Sequence, residues 1–408
     1  MQGGTKARTG AYEAVREDAG LKFQRRRRPL STDQGQVYAV IMAGGKGTRF
    51  WPLSRPDRPK QLLKILSQRT LISETLRRIT PPFRRENVLV VTAAEHFKEV
   101  RKELRDLPTR NLLLEPQGNN TAPCIGLAAI EVAARNPNAL MAVFPADHWI
   151  TDPYKFREIV RAALKLAQET DALVTVGIQP AYPETGYGYI RKGRPVLGSR
   201  GVAAYQVNNF QEKPNHTKAV QLIRAGSLWN SGIFIWKAST ILKLLQRFSP
   251  RVFQGLTEIQ KARGTGLGGI PRARLLTVLR REYRKMPAIS IDQAVLEKAG
   301  ATGKVLTVKA DFGWSDVGSW ASLHRLLPHD SRGNAAVGDW LAVDAKGCLV
   351  FSPHRLVVLL GMRNTVVVDS PNALLVADRE RTQEIREVVR RLQKKGYQRY
   401  LTGSSGKN

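Results

Sequence analysis

From Val37 onward, short unbroken apolar runs alternate with longer amphipathic segments, and this alternation restricts the fold more than any other feature of the chain. The runs include VYAVIMA, NVLVVTA, NLLLEP, ALMAVFPADHWI and ALVTVGIQP. A short apolar run without polar alternation is the pattern of a strand buried on both faces. Helical patterns stand between them: the stretch from Leu71 to Ile79, then TAPCIGLAAIEVAARN and YKFREIVRAALKLAQE. Strands separated by such helices need crossover connections, which build a sheet covered on both sides. The expected fold is α/β, a Rossmann-like doubly wound mixed sheet.

The rhythm changes twice along the chain. Between Tyr187 and Trp236 it loosens into YGYIRKG, AAYQVNNFQEKPN and LWNSGIFIWK, which read as paired strands around turns in a substrate-facing half. RGTGLGGIP, from Arg263, reads as a flexible connector because no strand immediately precedes it. After Leu326 come short strands punctuated by Gly, Pro, Asn and Asp, a small all-β, β-helix-like appendage. A charged helix from about Arg379 to Lys395, with Ile385, Val388, Val389 and Leu392 on one face, closes it. The expected division is a basic mobile arm over 1–36, a catalytic domain over 37–326, and the β appendage with its helix over 327–408.

Composition limits the setting. No apolar run reaches the roughly 18 residues that span a bilayer, and KFQRRRR at Lys22 is followed by no secretory hydrophobic segment. Two cysteines, Cys124 and Cys348, supply neither a multi-disulfide framework nor a four-cysteine zinc site. The expected protein is soluble, cytoplasmic and free of the membrane. The formal net charge is +31, and residues 1–36 contribute eight basic against four acidic side chains, so most of the excess lies in the folded part. Such a charge suits nucleic acid or a polyanionic small substrate. No zinc-finger, homeodomain or RNA-recognition signature accompanies it, which favours a generally arginine-rich composition or the small substrate over nucleic acid.

The first run ends in AVIMAGGKGTRFWPLSRPDRPKQLL, Ala39 to Leu63. A dinucleotide fingerprint fails because its third glycine position holds Phe50, and a Walker A loop fails because Lys46 is followed by Gly47. What remains is a strand feeding a loop, Ala43-Gly44-Gly45-Lys46-Gly47-Thr48-Arg49, whose small residues let backbone N–H groups approach phosphate oxygens. Arg49 adds a planar fork of donors and Lys60 a mobile charge, delivered across Pro52, Pro56 and Pro59. A glycine turn with incidental surface cations is the structural alternative.

GGKGTRFWPLSRPDRPKQ resembles the signature of sugar-1-phosphate nucleotidyltransferases, and its WPLS and PKQ details resemble the mannose-1-phosphate guanylyltransferases among them. EPQGNNTAPC, FPADHWI, ETGYGYI, FQEKPN, WNSGIFIW, SIDQAVLEK and DFGWSDVGSW follow in the family's order. The resemblance implies the nucleotide-diphospho-sugar transferase fold, GTP and mannose 1-phosphate as substrates, a magnesium ion and a homodimer. It implies that Asp147, at a strand end, and Asp316, in a glycine-bounded loop, hold the metal, an arrangement that fits magnesium's need for oxygen ligands. A strand-end cap and a turn residue are the structural readings of the two.

Glu115 is the candidate for the base, since one carboxylate accepts from both N1–H and the 2-amino group of guanine. Asn120 joins the nucleotide-binding set, with a helix N-cap as its alternative. The family pattern often carries a basic residue where Asn119 stands. On the sugar side the resemblance assigns Lys213 to the sugar phosphate, Glu212 and Asn230 to hydroxyl groups, and Gly188 to a close backbone approach. A solvated ion pair is the alternative for Glu212 and Lys213. A different base or sugar, or a non-catalytic sugar-nucleotide sensor, are the other functional readings.

Overall fold

The computed structural model describes residues 37–45, 47–264, 266–269 and 273–402; the arm expected over 1–36 and Lys46 of the glycine loop lie outside these residues. The described chain divides into two compact units. The larger contains 37–45 and 71–316, and the smaller contains 47–70 and 317–402.

The larger unit holds strands β1 (Val37–Ala43), β2 (Val88–Ala93), β3 (Leu112–Glu115), β4 (Leu140–Pro145), β5 (Trp149–Ile150), β6 (Leu173–Ile178), β7 (Gly188–Ser199), β8 (Val202–Glu212), β9 (Leu228–Lys237), β10 (Val305–Ala310) and β11 (Trp314–Ser315). Nine of them form one sheet in the order β3-β2-β1-β4-β9-β6-β10-β8-β7. The pairs β3–β2, β2–β1, β1–β4 and β6–β10 are parallel. Strand β9 runs antiparallel between β4 and β6, and β7 and β8 pair antiparallel at the far edge. The sheet is therefore mixed, as expected. Strands β1, β2 and β4 are almost wholly buried, which explains their lack of polar alternation.

Helices Thr121–Arg135, Ala238–Phe248, Pro250–Ala262 and Ala273–Lys285 supply apolar faces to a core containing Trp236 and Tyr283. Helix Pro153–Thr170 starts where the sequence signals it: Asp152 Oδ1 accepts from the amides of Tyr154 and Lys155, with proline in the first turn. Two features differ from expectation. A helix, His216–Arg224, stands between β8 and β9, capped by the Asn215 side chain. The glycine-rich segment is partly docked: Gly268 bridges Leu113, and the Gly269 amide donates to the Leu112 carbonyl at 2.8 Å, covering the outer edge of β3.

The smaller unit is built on β12 (Ala335–Val343), β13 (Leu349–Leu360), β14 (Thr365–Ser370) and β15 (Ala373–Asp378). The first three are successive parallel strands joined without helices, so the chain coils, and β15 closes the sheet antiparallel. Ala345, Cys348, Val350, Leu359 and Val367 fill the coil. Residues 47–70 belong to this unit through aromatic packing. The Phe50 and Trp320 rings are 4.9 Å apart, Trp320 Nε1 donates to the Trp51 carbonyl at 3.3 Å, and Trp51 Nε1 donates to the Tyr400 carbonyl at 3.1 Å. The final helix is regular only over Ile385–Lys394, after a 3-10 turn at Arg379–Glu384. Ile385 and Val389 are buried in it, whereas Val388 is 39% exposed. Among the described residues no helix is long and apolar enough to cross a membrane.

Candidate active site

In the larger unit the candidate residues gather at the carboxyl ends of β1, β3 and β4, where parallel α/β sheets present their ligand sites. Ala43 ends β1 and is buried, its carbonyl accepting from the Thr92 hydroxyl at 3.2 Å. Glu115 ends β3 two strands away, and its side chain reaches back to the loop. A Cβ on Gly44 would stand 3.3 Å from Glu115 Oε2, so glycine leaves the carboxylate room against the backbone. Glu115 is only 2% exposed, and Oε1 has no hydrogen-bond partner among the described residues. Burial pushes its pKa up to about 8, against the opposing influence of the Tyr283 hydroxyl and the Cys124 thiol beside it. Burial also raises both of those groups, so they stay protonated over that range. A buried carboxyl with an unused oxygen beneath a glycine loop is built to receive hydrogen-bond donors.

The rest of that loop is fixed by local bonds. Asn120 adopts φ 68°, and its Oδ1 accepts from the Thr121 amide at 2.9 Å, so it caps helix Thr121–Arg135. Asn119 is buried and donates to the carbonyls of Tyr283 and Met286, while Gln117 donates to Asn119 Oδ1 at 3.0 Å. The short amide thus ties the loop to the end of helix Ala273–Lys285, a different task from that of a basic side chain.

Asp147 and Asp316 flank a small two-stranded ladder. Strand β5 begins two residues after Asp147 and pairs antiparallel with β11, Trp149 opposite Ser315 and Ile150 opposite Trp314. Asp316 follows the last residue of β11 and Asp147 precedes β5 by two positions, so both lie just past the same end of this ladder. Asp316 Oδ1 accepts from the Tyr187 hydroxyl at 2.7 Å, and burial followed by the Asp316 charge raises the Tyr187 pKa, so the phenol remains a donor. His148 Nδ1 accepts from Trp314 Nε1 at 3.1 Å, which fixes the ring beside the carboxylates. Among the described residues no group of three or more His, Cys, Asp or Glu side chains forms a metal cage. Two carboxylates from separate segments, leaving the remaining positions to substrate phosphates and water, fit magnesium chemistry.

Gly188, Glu212, Lys213 and Asn230 form a second cluster at the joined ends of β7, β8 and β9. Gly188 pairs with Glu212, and a Cβ on Gly188 would stand 2.8 Å from Glu212 Oε2. The Lys213 ammonium contacts Glu212, and Lys213 holds a positive φ of 42° with its amide donating to the Tyr187 carbonyl at 3.2 Å. Tyr187 therefore links this cluster to Asp316. Asn230 Nδ2 donates to Asp292 Oδ1 at 2.7 Å. Sequence reasoning assigned Asp292 no role. It is half-buried, its pKa pushed up to about 6 by desolvation and then by the Glu212 charge, and it begins a π-helical turn, Asp292–Leu296. Such turns concentrate at functional sites, but this one is visible only in the structure.

The other candidates lie in the smaller unit. Gly47 has φ 59°, and a Cβ there would press into Lys60 Cβ and stand 2.8 Å from the Lys60 amide nitrogen. Only glycine lets the loop lie on Lys60. The Gly47 carbonyl accepts from the Ser54 hydroxyl at 2.7 Å and from the Phe50 amide at 3.0 Å, which starts the 3-10 turn Thr48–Phe50 carrying Arg49. Lys60 is 6% exposed, with its ammonium 5.9 Å from the Phe50 ring centre.

Known proteins resemble this chain over most of its length. The nucleotidyl transferase family matches residues 38–332, and the MannoseP isomerase/GMP-like beta-helix domain matches 338–392. Mannose-1-phosphate guanylyltransferase of Escherichia coli (strain K12) is 37% identical over 368 residues, 89% of this chain and 75% of that protein. Xanthan biosynthesis protein XanB of Xanthomonas campestris pv. campestris (strain B100) is 38% identical over 363 residues, 88% of this chain and 74% of that protein. The crystal structure described as mannose-1-phosphate geranyltransferase from Thermus thermophilus superposes with a TM-score of 0.77 at 34% identity, covering 88% of this chain and 99% of that one. With a family model covering residues 38–332 and relatives at 37% identity over most of the chain, the protein is an enzyme that belongs to the nucleotidyl transferase family, alongside the mannose-1-phosphate guanylyltransferases.

Proposed function

We propose that the chain transfers GMP from GTP to mannose 1-phosphate, giving GDP-mannose and diphosphate. The observation that carries the choice of base is Glu115, buried under Gly44 with an unused oxygen. As a carboxylate it accepts from N1–H and the 2-amino group of guanine, a pair of donors that no other common nucleobase presents. The sugar is supported by the names of the relatives.

The reaction is an in-line displacement. A phosphate oxygen of mannose 1-phosphate forms a bond to the α-phosphorus as the bond from that phosphorus to the oxygen bridging to the β-phosphate breaks, and diphosphate leaves with that electron pair. The nucleophile is already anionic near neutral pH, so positioning and charge neutralisation supply the catalysis. Asp147 and Asp316 would hold magnesium, which when bound draws the phosphates into register and offsets their charge. Ala43, Gly44, Gly45, Gly47 and Thr48 present the loop to the triphosphate, Asn120 holds the adjoining helix start, and Arg49 and Lys60 neutralise the departing diphosphate. Lys213 steadies the sugar phosphate. Glu212 and Asn230 bind sugar hydroxyls, with Gly188 giving the ring space and Asp292 orienting Asn230.

Phosphorus NMR of a reaction with GTP, mannose 1-phosphate and magnesium tests this directly. GDP-mannose and diphosphate are expected in equal amounts. Free phosphate without GDP-mannose would mean hydrolysis and would overturn the transfer. Gly47→Ala is expected to raise the KM for GTP about tenfold, because the new Cβ displaces Lys60 and a non-glycine residue at positive φ adds about 1 kcal/mol of strain. An unchanged KM in steady-state kinetics would remove the loop from the triphosphate site.

In this reading residues 37–326 carry the transfer and 327–408 form the β appendage. The enzyme works in the cytoplasm, where its two buried thiols stay reduced. Its basic charge serves anionic substrates and not nucleic acid. It acts as a homodimer, supported by one exposed apolar face of the appendage. Leu341 pairs with Val358 and Val343 with Leu360, and all four are between 43% and 71% exposed. A contiguous patch of this kind on a sheet fits a second copy of the same chain. Light scattering is expected to give twice the chain mass, and Val358→Glu with Leu360→Glu to give the chain mass; a monomeric wild type would contradict the dimer.

A further inference from the structure

The coil of the smaller unit stacks a column of cations at one corner. Arg332, Lys346, Arg363 and Arg379 stand at successive turns: the Gly347 amide donates to the Arg332 carbonyl, Lys346 bridges Arg363 in parallel, and the Arg379 amide donates to the Asn364 carbonyl at 2.7 Å. Adjacent rungs of a sheet are about 4.8 Å apart, so like charges stacked in this way repel. The column opens on a cavity of about 570 Å³ lined by His324, His329 and the four cations together with Gly333, Gly347 and Asn364, and none of its lining residues is acidic. Cavities of this size hold small molecules.

Internal compensation is incomplete. Arg332 pairs with Asp344 at 3.1 Å. The Arg379 guanidinium is fixed by the Gly347 carbonyl at 2.8 Å and by Asn364 Oδ1 at 3.0 Å, both neutral acceptors. The side chains of Lys346 and Arg363 are exposed and make no hydrogen bond or ion pair with a described residue. At the base, His324 is 7% exposed, its Nε2 is 2.9 Å from the Gly333 carbonyl, and its ring stacks edgewise on His329 with centres 4.5 Å apart. Burial, then the nearby positive charge of Arg379, lowers the His324 pKa to about 4, so this ring is a neutral floor under the cations.

We propose that this corner is a binding site for a small phosphate-bearing anion, with Arg379 as a fixed donor and Lys346 and Arg363 as the side chains that close on the ligand. Fixed guanidinium donors and mobile lysine are the usual partners of phosphate oxygens, and the cavity exceeds what a single phosphate fills. Inorganic diphosphate and a sugar 1-phosphate share this chemistry.

The test uses the full chain and reads the imidazole NMR signals, of which the six histidines give few enough to assign. Diphosphate, mannose 1-phosphate and sodium chloride of matched ionic strength are titrated separately. A saturable shift of the His324 and His329 signals is expected with at least one phosphate compound and not with chloride. The tighter of the two compounds identifies the source. Lys346→Ser with Arg363→Ser, both exposed positions, is expected to weaken that binding at least about tenfold while the melting temperature and kcat stay at wild-type values. No shift with either compound, an equal shift with chloride, or an undiminished shift in the double variant would overturn the proposal.

Discussion

Asp147→Asn is expected to lower kcat by about a thousandfold, the scale on which loss of a charge-stabilising group slows a transfer between anions. Asparagine keeps the shape of the side chain and removes its charge, so the fold at the end of β4 should persist. Asp316→Asn should fall in the same range, and the double variant should lose little more, because two ligands of one ion act as a unit. Raising the magnesium concentration should restore part of the rate in each single variant. Steady-state kinetics over a magnesium series checks this. Loss of less than about tenfold in either variant would mean that the two carboxylates at the β5–β11 ladder serve structure alone.

Glu115→Gln is expected to reduce kcat/KM for GTP by about a hundredfold, since two charge-assisted hydrogen bonds to guanine are replaced by a mismatched amide. The wild type should also bind GTP more tightly as pH rises. Its free carboxyl has a pKa near 8, and guanine needs the ionised form. Below that value each unit of pH costs about 1.4 kcal/mol, or tenfold in affinity, with a proton released on binding; above it affinity levels off. Calorimetry in buffers of different ionisation enthalpy measures the proton. The apoenzyme should behave oppositely. A raised folded-state pKa means that the stability contributed by the neutral carboxyl is complete below its unfolded value of 4.5 and is lost as pH rises through about 8. Glu115→Gln should flatten both trends.

Much of the larger unit was legible because β1, β2 and β4 are buried on both faces and so read as plain apolar runs. Strand β9 was legible as a strand, but its antiparallel insertion between β4 and β6 was not, because local periodicity carries no information on strand direction. Helix His216–Arg224 is short, with Ala219 and Leu222 as its buried residues, too faint a pattern to separate from a loop.

In the candidate site, the placement of the glycines and of Glu115 at strand ends was legible, because an apolar run that stops at small or charged residues marks the end of a buried strand. Asp292 was not, since one acid in a helical segment gives no sign that its partner is Asn230, 62 residues away. The role of Trp51 was equally hidden: it lies inside the glycine-loop motif, yet its indole bonds to Tyr400, 349 residues away. Long-range partners of single polar atoms are set by the whole fold, which a local reading does not see.

Guanylyl transfer to mannose 1-phosphate stands or falls on a competition assay. Purified full-length protein with magnesium is given GTP, ATP, UTP and dTTP together with mannose 1-phosphate and glucose 1-phosphate, and the nucleotide sugars formed are separated and quantified. GDP-mannose is expected as the dominant product, with the preference for GTP reduced in Glu115→Gln. A dominant product carrying another base, or a GTP preference that survives loss of the Glu115 carboxylate, would refute the assignment.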